Sequence, residues 1–208
     1  ILLMSVFRSA FADWYTVPTG SMQPTIEVGD RIVVNKMAYD LRVPFTSLSI
    51  IDTAEPAHGD IVVFESVAAD NRLIKRVIGL PGDIVSMQNE VIFINGKSLH
   101  YDNKALLNTA SSTENIALVT EKLGNITHAV KVNHKASDKF SNFGPVTVPE
   151  NHYLVLGDNR RHSADSRVYG FVPRHELRGK ATAIAFSVDY DNYYLPKQNR
   201  FFKSLYKS

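Results

Sequence analysis

The sequence predicts a mainly β protein. Short runs rich in Val, Ile, Phe and Tyr recur along the chain, separated by Gly-Asp and Pro-Gly pairs that are typical of tight turns. In chain order, the predicted strand regions are RIVVNKMAY, DIVVFESV, RLIKRVIGL, DIVSMQ, EVIFINGKSL, HYLVLG and KATAIAFSVDY. Between VIFI and KSL, the pair Asn95-Gly96 predicts a hairpin turn, because such turns need residues that tolerate positive φ.

A change in composition predicts how the β domain is divided. From about residue 86 to residue 147 the chain is richer in Asn, Ser, Thr and Lys, and its strands are harder to identify. We therefore expect one β domain over 15–85 and 148–190, interrupted by an inserted β-rich subdomain over 86–147. Repeats and low-complexity tracts are absent from the sequence.

The two ends of the chain carry apolar and aromatic residues. The apolar run Ile1–Phe7 is shorter than the roughly 20 residues that cross a bilayer. Residues 1–14 are expected to be the end of a membrane-associated segment, or an amphipathic segment lying on the protein. The tail 191–208 interleaves lysine and arginine with aromatic side chains. It suits an anionic membrane surface, or packs its aromatics on the core and leaves its lysines in water.

Composition excludes several classes of function. The chain has 208 residues, of which 44% are hydrophobic and 21% charged, as in ordinary globular proteins. A net charge of +2 does not indicate a nucleic-acid partner. The absence of cysteine excludes disulfides, thiol catalysis and thiolate zinc sites. Any nucleophile must therefore act through oxygen or nitrogen.

Ser21 lies in the stretch VPTGSMQPT and is either a turn residue or a nucleophile. As a nucleophile it needs a base, and Lys75 in RLIKRVIGLPGD is a candidate. If Leu73 and Val77 share its strand face, their apolar surroundings lower the lysine pKa. An unshifted lysine is neutral to only about one part in a thousand near pH 7.5. The alternative is a lysine whose amine reaches water.

A histidine triad is the second possible arrangement. The segment RRHSADSR contains His162 and Asp165, which would complete a triad with Ser21 by residue type. The neighbouring arginines Arg160, Arg161 and Arg167 instead suggest an exposed, positively charged loop. Sequence favours Lys75 but leaves the triad open.

Read together, five segments resemble the conserved boxes of bacterial type I signal peptidases, also called leader peptidases. The segments are PTGSMQPTI, GDRIVVNKMAY, GDIVVF, IKRVIGLPGD and LVLGDNRRHSADSRVYGFVP. This resemblance implies a signal-peptidase-type β-sheet domain that removes signal peptides from preproteins. It also implies attachment to lipids of the bacterial cytoplasmic membrane, with the catalytic domain on the periplasmic side. No metal or organic cofactor and no nucleic-acid partner are implied, and we expect a monomer.

The resemblance assigns roles to individual positions. It makes Ser21 the nucleophile and Lys75 the general base, with Ser163 orienting the lysine. It makes Asp165 and Arg167 a structural ion pair. Supporting positions are Asp158 and Arg76. The family often has serine two positions before the nucleophile, where this chain has Thr19. Threonine keeps a hydroxyl that can stabilise the oxyanion together with the Ser21 amide.

The family's substrates carry small residues, typically alanine, one and three positions before the cut. Positions that match its pocket walls are Tyr15, Val17, Pro18, Met22, Ile32, Val63, Ile74 and Ala164. Each of these is equally an ordinary core residue. Two other functions remain open: a Ser/Lys autoprotease of the SOS-repressor type, and a non-catalytic β domain at a membrane surface.

Overall fold

Strands dominate the computed structural model, which describes residues 12–42, 49–106, 116–133 and 140–206. The predicted mainly β class is confirmed. In chain order, the strands are β1 (Ala12–Thr16), β2 (Asp30–Asn35), β3 (Asp40–Arg42), β4 (Ser49–Asp52), β5 (Ile61–Ser66), β6 (Asn71–Gly79), β7 (Ile84–Gln88), β8 (Val91–Ile94), β9 (Lys97–Ser98), β10 (His100–Leu106), β11 (Ala117–Leu123), β12 (Ile126–Val132), β13 (Phe143–Thr147), β14 (His152–Leu156), β15 (Val172–Pro173), β16 (Leu177–Asp189), β17 (Leu195–Pro196) and β18 (Lys203–Ser204).

Helical segments are short in the described residues. The α-helix α1 spans Ser166–Tyr169. Four 3₁₀ turns span Lys36–Ala38, Arg160–His162, Arg174–Glu176 and Gln198–Arg200. No helix in the described ranges has both the length and the apolar composition needed to span a membrane. The predicted membrane-associated segment lies almost entirely outside the described residues, and its last positions belong to β1.

One large antiparallel sheet forms the centre of the molecule, with strand order β1-β2-β16-β5-β6-β14-β15. Strand β5 is buried on both faces, which explains why it reads as a continuous apolar run. Ile61 and Val63 belong to one core cluster, and Val62 and Phe64 belong to another. This alternation places β5 between two apolar layers, and β6 pairs with it along its whole first half.

Residues 84–147 add two small sheets. One has the order β13-β7-β8-β9, and the other is the antiparallel sheet β10-β11-β12. Asn95 and Gly96 have φ of 52° and 77°, so the predicted hairpin turn between β8 and β9 is confirmed. The boundary expected near residue 86 falls inside β7, and the division into domains stays a prediction.

The basic and aromatic tail runs along the second half of β16, which pairs with both β17 and β18. Its rings are divided between the two expected arrangements, since Tyr206 packs against the core whereas Phe201 and Phe202 are exposed. Arg200 is buried against Asp30, with a 2.9 Å bond from Nε to Oδ1. Tyr193 and Phe202 are 92% and 85% exposed, while Leu205 joins the core. The tail is therefore held to the domain by Arg200, Leu205 and Tyr206, and it exposes its other rings to solvent.

Candidate active site

Ser21 and Lys75 meet in the folded chain. Ser21 lies in the turn between β1 and β2, and Lys75 lies in the middle of β6. The lysine Nζ lies 3.0 Å from the serine Oγ and donates a second hydrogen bond of 3.0 Å to the carbonyl oxygen of Ile74. Two residues that are 54 positions apart in sequence thus form a hydrogen-bonded pair.

The Lys75 side chain is only 2% exposed. Its strand neighbours Leu73 and Val77 pack in one apolar cluster, and Val62 is its partner across the sheet. Burial lowers the lysine pKa to about 8, because an ammonium loses its hydration there. The nearby carboxylates of Asp165 and Asp158 oppose this effect without cancelling it. The amine can therefore lose its proton near physiological pH.

The peptide group between Gly20 and Ser21 is held in a fixed orientation by Asn159. The side-chain Nδ2 of Asn159 donates to the Gly20 carbonyl at 3.1 Å, and its backbone N–H donates to the Ser21 carbonyl at 3.0 Å. In a trans peptide the C=O and the following N–H point in opposite directions. Fixing the Gly20 oxygen therefore aims the Ser21 N–H away from Asn159. Sequence reasoning missed this residue, although it lies inside the GDNRRHSADSR segment.

Thr19 is exposed beside this peptide group. It lies two residues before Ser21, where a second oxyanion donor is expected. Its role in catalysis stays a prediction.

Asp158 and Arg76 form a buried ion pair. The Arg76 Nε and Nη2 donate to the two Asp158 oxygens at 2.8 and 2.6 Å, and both side chains are 1% exposed. Arg76 also donates to the Gly59 carbonyl at 2.9 Å, and Thr25 donates to Asp158. Burial opposes ionisation of Asp158, but the Arg76 charge outweighs it and keeps the carboxyl pKa below its usual range. Sequence assigned both residues supporting roles without showing that they pair.

Asp165 and Arg167 form a second pair. Arg167 donates to the two Asp165 oxygens at 2.8 Å each, and the Gly157 N–H donates to the same carboxylate at 3.0 Å. Arg160 is buried as well, with 1% of its surface exposed, because it binds Glu121. The expectation of an exposed, positively charged loop is therefore wrong for Arg160 and Arg167. These arginines are buried because each has a carboxylate partner that offsets its lost hydration.

Ser163 lies inside the site but does not make the predicted bond to the lysine. A Cβ added to Gly157 would lie 2.3 Å from the Ser163 Oγ and 2.5 Å from the Ser21 carbonyl oxygen, so these groups are closely packed. The Ser163 hydroxyl lies near enough to Asp165 to favour its charged form. Within the described residues, however, it completes no hydrogen bond of good geometry.

The contacts favour the lysine over the histidine triad. His162 is exposed at the end of a 3₁₀ turn. Asp165, which would have to orient it, binds Arg167 through both carboxylate oxygens instead. Ser21 already has Lys75 as its hydrogen-bond partner.

Six of the eight predicted pocket residues share one apolar cluster, which contains Met22, the residue after Ser21. Val17, Met22, Ile32 and Val63 belong to one buried cluster, against which Tyr15 and Ile74 pack. Pro18 and Ala164 are exposed. Met22, the residue after Ser21, is only 1% exposed, so in this structure it is part of the core and not an open pocket wall. The described residues contain no group of three or more His, Asp or Glu side chains placed to hold a metal ion.

Comparison with known proteins connects this chain with a family. The family model described as signal peptidase, peptidase S26, matches residues 1–186. Signal peptidase I of Pseudomonas fluorescens is 37% identical over 205 residues, covering 90% of this chain and 69% of that protein. Signal peptidase I of Rickettsia typhi is 36% identical over 207 residues, covering 90% and 76%. A solved structure of signal peptidase I from Enterococcus faecalis has 33% identity, covers 63% of this chain and 100% of its own, and gives a TM-score of 0.40.

A serine hydroxyl held against a buried lysine amine on a β scaffold is the arrangement of a serine hydrolase. The matches show which kind: the chain belongs to the signal peptidase family, peptidase S26. It is a serine endopeptidase that removes signal peptides. The resemblance drawn from the sequence is confirmed, and the family differs from the SOS-repressor autoproteases considered above.

Proposed function

We propose that this protein is a membrane-bound endopeptidase that cleaves preproteins after small residues, with Ser21 and Lys75 as its catalytic dyad. The observation that carries the proposal is the 3.0 Å separation between the Ser21 Oγ and the Lys75 Nζ, together with the burial of that amine. Its substrates are signal peptides of exported preproteins. No metal or organic cofactor is required by the proposed chemistry.

The first half of the reaction forms an acyl-enzyme. The neutral Lys75 amine accepts the Ser21 proton while the Oγ attacks the scissile carbonyl carbon. The negative charge that develops on the carbonyl oxygen is stabilised by the Ser21 N–H and the Thr19 hydroxyl, and each donor of this kind is worth about 3 kcal/mol. The lysine ammonium then gives its proton to the leaving amine of the mature protein.

The second half releases the signal peptide. Lys75, neutral again, accepts a proton from water as the water oxygen attacks the acyl carbon. The ammonium returns this proton to the Ser21 Oγ when the ester bond breaks. Ser21 and Lys75 thus recover their starting states, so a single titrating group serves both halves.

Within the described residues, one edge of β6 next to Lys75 is unpaired, which supports binding of an extended substrate. Over its first residues β6 pairs with β5 on one side, whereas β14 pairs only with Arg76 and the residues that follow it. An extended peptide can add to such an edge, with alternate side chains pointing toward the Tyr15 and Ile74 cluster. Because that cluster is already filled with apolar side chains, large substrate residues would clash there.

The pH dependence of cleavage tests the dyad. With a pKa of about 8, the amine is about one quarter neutral at pH 7.5. We expect kcat/KM for a peptide ending in Ala-X-Ala to rise with pH, with a midpoint near that pKa, because only the neutral amine can accept the serine proton. A midpoint below 7, typical of histidine, would contradict the proposal. The matched variant His162→Ala should give the same curve.

The exposed rings of the tail support attachment to a membrane. Tyr193, Tyr194, Leu195, Phe201 and Phe202, here called the aromatic surface, are each exposed by 47% or more. Rings of this kind insert at the boundary between headgroups and acyl chains. The proposed location is the bacterial cytoplasmic membrane, with the catalytic domain on the periplasmic side. A monomer without a nucleic-acid partner suffices for this function.

Replacing two of these rings should weaken lipid binding. We expect the double variant Tyr193→Ser, Phe202→Ser to bind vesicles of phosphatidylethanolamine and phosphatidylglycerol about tenfold or more weakly, because two buried rings contribute a few kcal/mol. The control is Val67→Ser, which removes an apolar side chain that is 80% exposed and lies outside the aromatic surface. Equal sedimentation of both variants with vesicles would exclude the aromatic surface as the docking site.

A further inference from the structure

The hairpin formed by β11 and β12 lies directly against the loop that follows β14, which contains Asp158 and Asn159. The backbone N–H of Lys131 donates to the Asp158 carbonyl at 2.9 Å, and Lys131 forms a parallel β-bridge with Asn159. At its other end, a Cβ on Gly59 would lie 2.7 Å from Ile126, so this end of the hairpin packs on the backbone that Arg76 binds. The hairpin is therefore joined by backbone contacts to the loop that follows β14.

The loop to which the hairpin is bonded also holds the nucleophile. Asn159, the bridge partner of Lys131, makes the two hydrogen bonds to the carbonyls of Gly20 and Ser21 described above. A displacement of β12 would therefore move the peptide group whose N–H faces the oxyanion. Asn159 therefore connects the hairpin to the residue proposed to react.

Lys131 reaches the nucleophile turn by a second route. Its Nζ donates to the Gln23 Oε1 at 2.8 Å. The Gln23 side chain lies over Gly20, where an added Cβ would be 3.2 Å from the Gln23 Cδ. The lysine thus holds an amide group that packs against Gly20, the residue before Ser21.

A buried ion pair fixes the hairpin to the loop. Arg160 Nη2 donates to both Glu121 oxygens at 2.8 and 2.9 Å, and its Nε donates to the Gly157 carbonyl at 3.1 Å. Tyr101 donates to Glu121 at 2.6 Å. Both side chains of this ion pair are almost completely buried, so the pair holds the hairpin in one position against the loop. The position of Lys131, which lies on the same hairpin, is fixed in the same way.

We propose that the β11–β12 hairpin positions the Ser21 turn for catalysis and that Lys131 is a positioning residue, acting through Gln23. This inference rests on the proposed Ser21–Lys75 function. The inserted segment then serves to preorganise the nucleophile and its N–H. Small displacements of a reacting group are costly, since a shift of about 1 Å can slow a reaction by about 10²-fold.

The variant Lys131→Met tests this role in the active enzyme. We expect kcat for an Ala-X-Ala peptide to fall about tenfold and KM to stay within twofold, because the lysine orients the turn and does not bind substrate. The pH midpoint should stay that of the wild type, because Lys75 keeps its surroundings. Lys131→Arg should restore most of kcat. The matched control, Lys122→Met, changes an exposed lysine of the same hairpin and should have no effect.

A second variant separates positioning from folding. Gln23→Met removes the acceptor without changing the hairpin and should cause the same loss of kcat. Adding Lys131→Met to Gln23→Met should cause no further loss, because both changes break one bond. Unchanged kcat in Lys131→Met, a change confined to KM, or additive losses in the double variant would overturn the inference. Loss of the lysine-type pH curve in the wild type would instead overturn the dyad, so the two failures are distinguishable.

Discussion

Replacing Lys75 with methionine should reduce kcat/KM for a signal-peptide substrate by about 10² to 10⁴-fold. Methionine fills nearly the same apolar space but cannot accept a proton from Ser21, whose Oγ lies 3.0 Å from the lysine Nζ. The measurement is cleavage of an Ala-X-Ala peptide under saturating and limiting substrate. His162→Ala, at the exposed histidine, should retain wild-type activity. Retained activity in Lys75→Met, or inactivity of His162→Ala, would contradict the dyad.

The same substitution should raise the free energy of unfolding. The expected loss of activity could then not be attributed to unfolding of the variant. The folded pKa of Lys75 is about 8, against 10.5 for a free lysine, so the unfolded chain binds more protons between these values. Wild-type stability should therefore rise with pH across that window. Lys75→Met removes the cost of the buried charge, worth up to about 3 kcal/mol at pH 7. Urea denaturation at pH 7 and pH 10 measures the difference.

Replacing Asp158 with alanine should lower the free energy of unfolding by about 3 to 5 kcal/mol. The change leaves the Arg76 guanidinium, 1% exposed, without its carboxylate partner. It also removes the acceptor of the Thr25 hydroxyl. Urea denaturation at pH 7 gives the free energy, and a loss below about 1 kcal/mol would contradict the structural importance of the pair.

A matched aspartate on the surface is the control for this experiment. Asp52 pairs with Arg174 at 3.4 Å, but its side chain is 73% exposed. Asp52→Ala should cost no more than about 1 kcal/mol, because water screens exposed pairs. Since the Asp158 pKa is lowered in the folded state, its contribution is present above the ordinary aspartate pKa of about 4. This contribution should be lost as the pH falls below that value.

Local sequence was sufficient for the features that depend on neighbouring residues. Apolar runs identified the central strands, because a strand that is buried on both faces carries apolar side chains at consecutive positions, as in β5 and the second half of β6. Asn95-Gly96 identified a turn, since its backbone angles follow from those two residues. Ser21 and Lys75 were predicted to be nucleophile and base because each lies in a distinctive local segment. The family that these segments indicated is confirmed by the comparisons.

Pairing across the chain could not be read in this way. Asp158 and Arg76 are 82 positions apart, and Arg160 meets Glu121 across 39 positions. Nothing in their local segments shows which carboxylate each arginine binds. The neighbouring arginines in RRHSADSR therefore predicted a solvent-exposed loop, whereas the fold supplies a buried carboxylate partner for Arg160. Residues 86–147 gave no chemical signal for the same reason, because the role proposed for Lys131 rests on its contacts with Asn159 and Gln23.

The sequence by itself predicted the strand-rich class and the family, and it proposed Ser21 and Lys75 as nucleophile and base, because these expectations rest on residue type and on short segments of the chain. Only the tertiary structure decided how these parts are arranged. It set how deeply the Lys75 amine is buried, which groups orient the peptide group between Gly20 and Ser21, and which rings of the tail are exposed. Burial, partner choice and hydrogen-bond direction depend on segments that meet only after folding. These properties set the lysine pKa and the orientation of the nucleophile, which no single segment encodes.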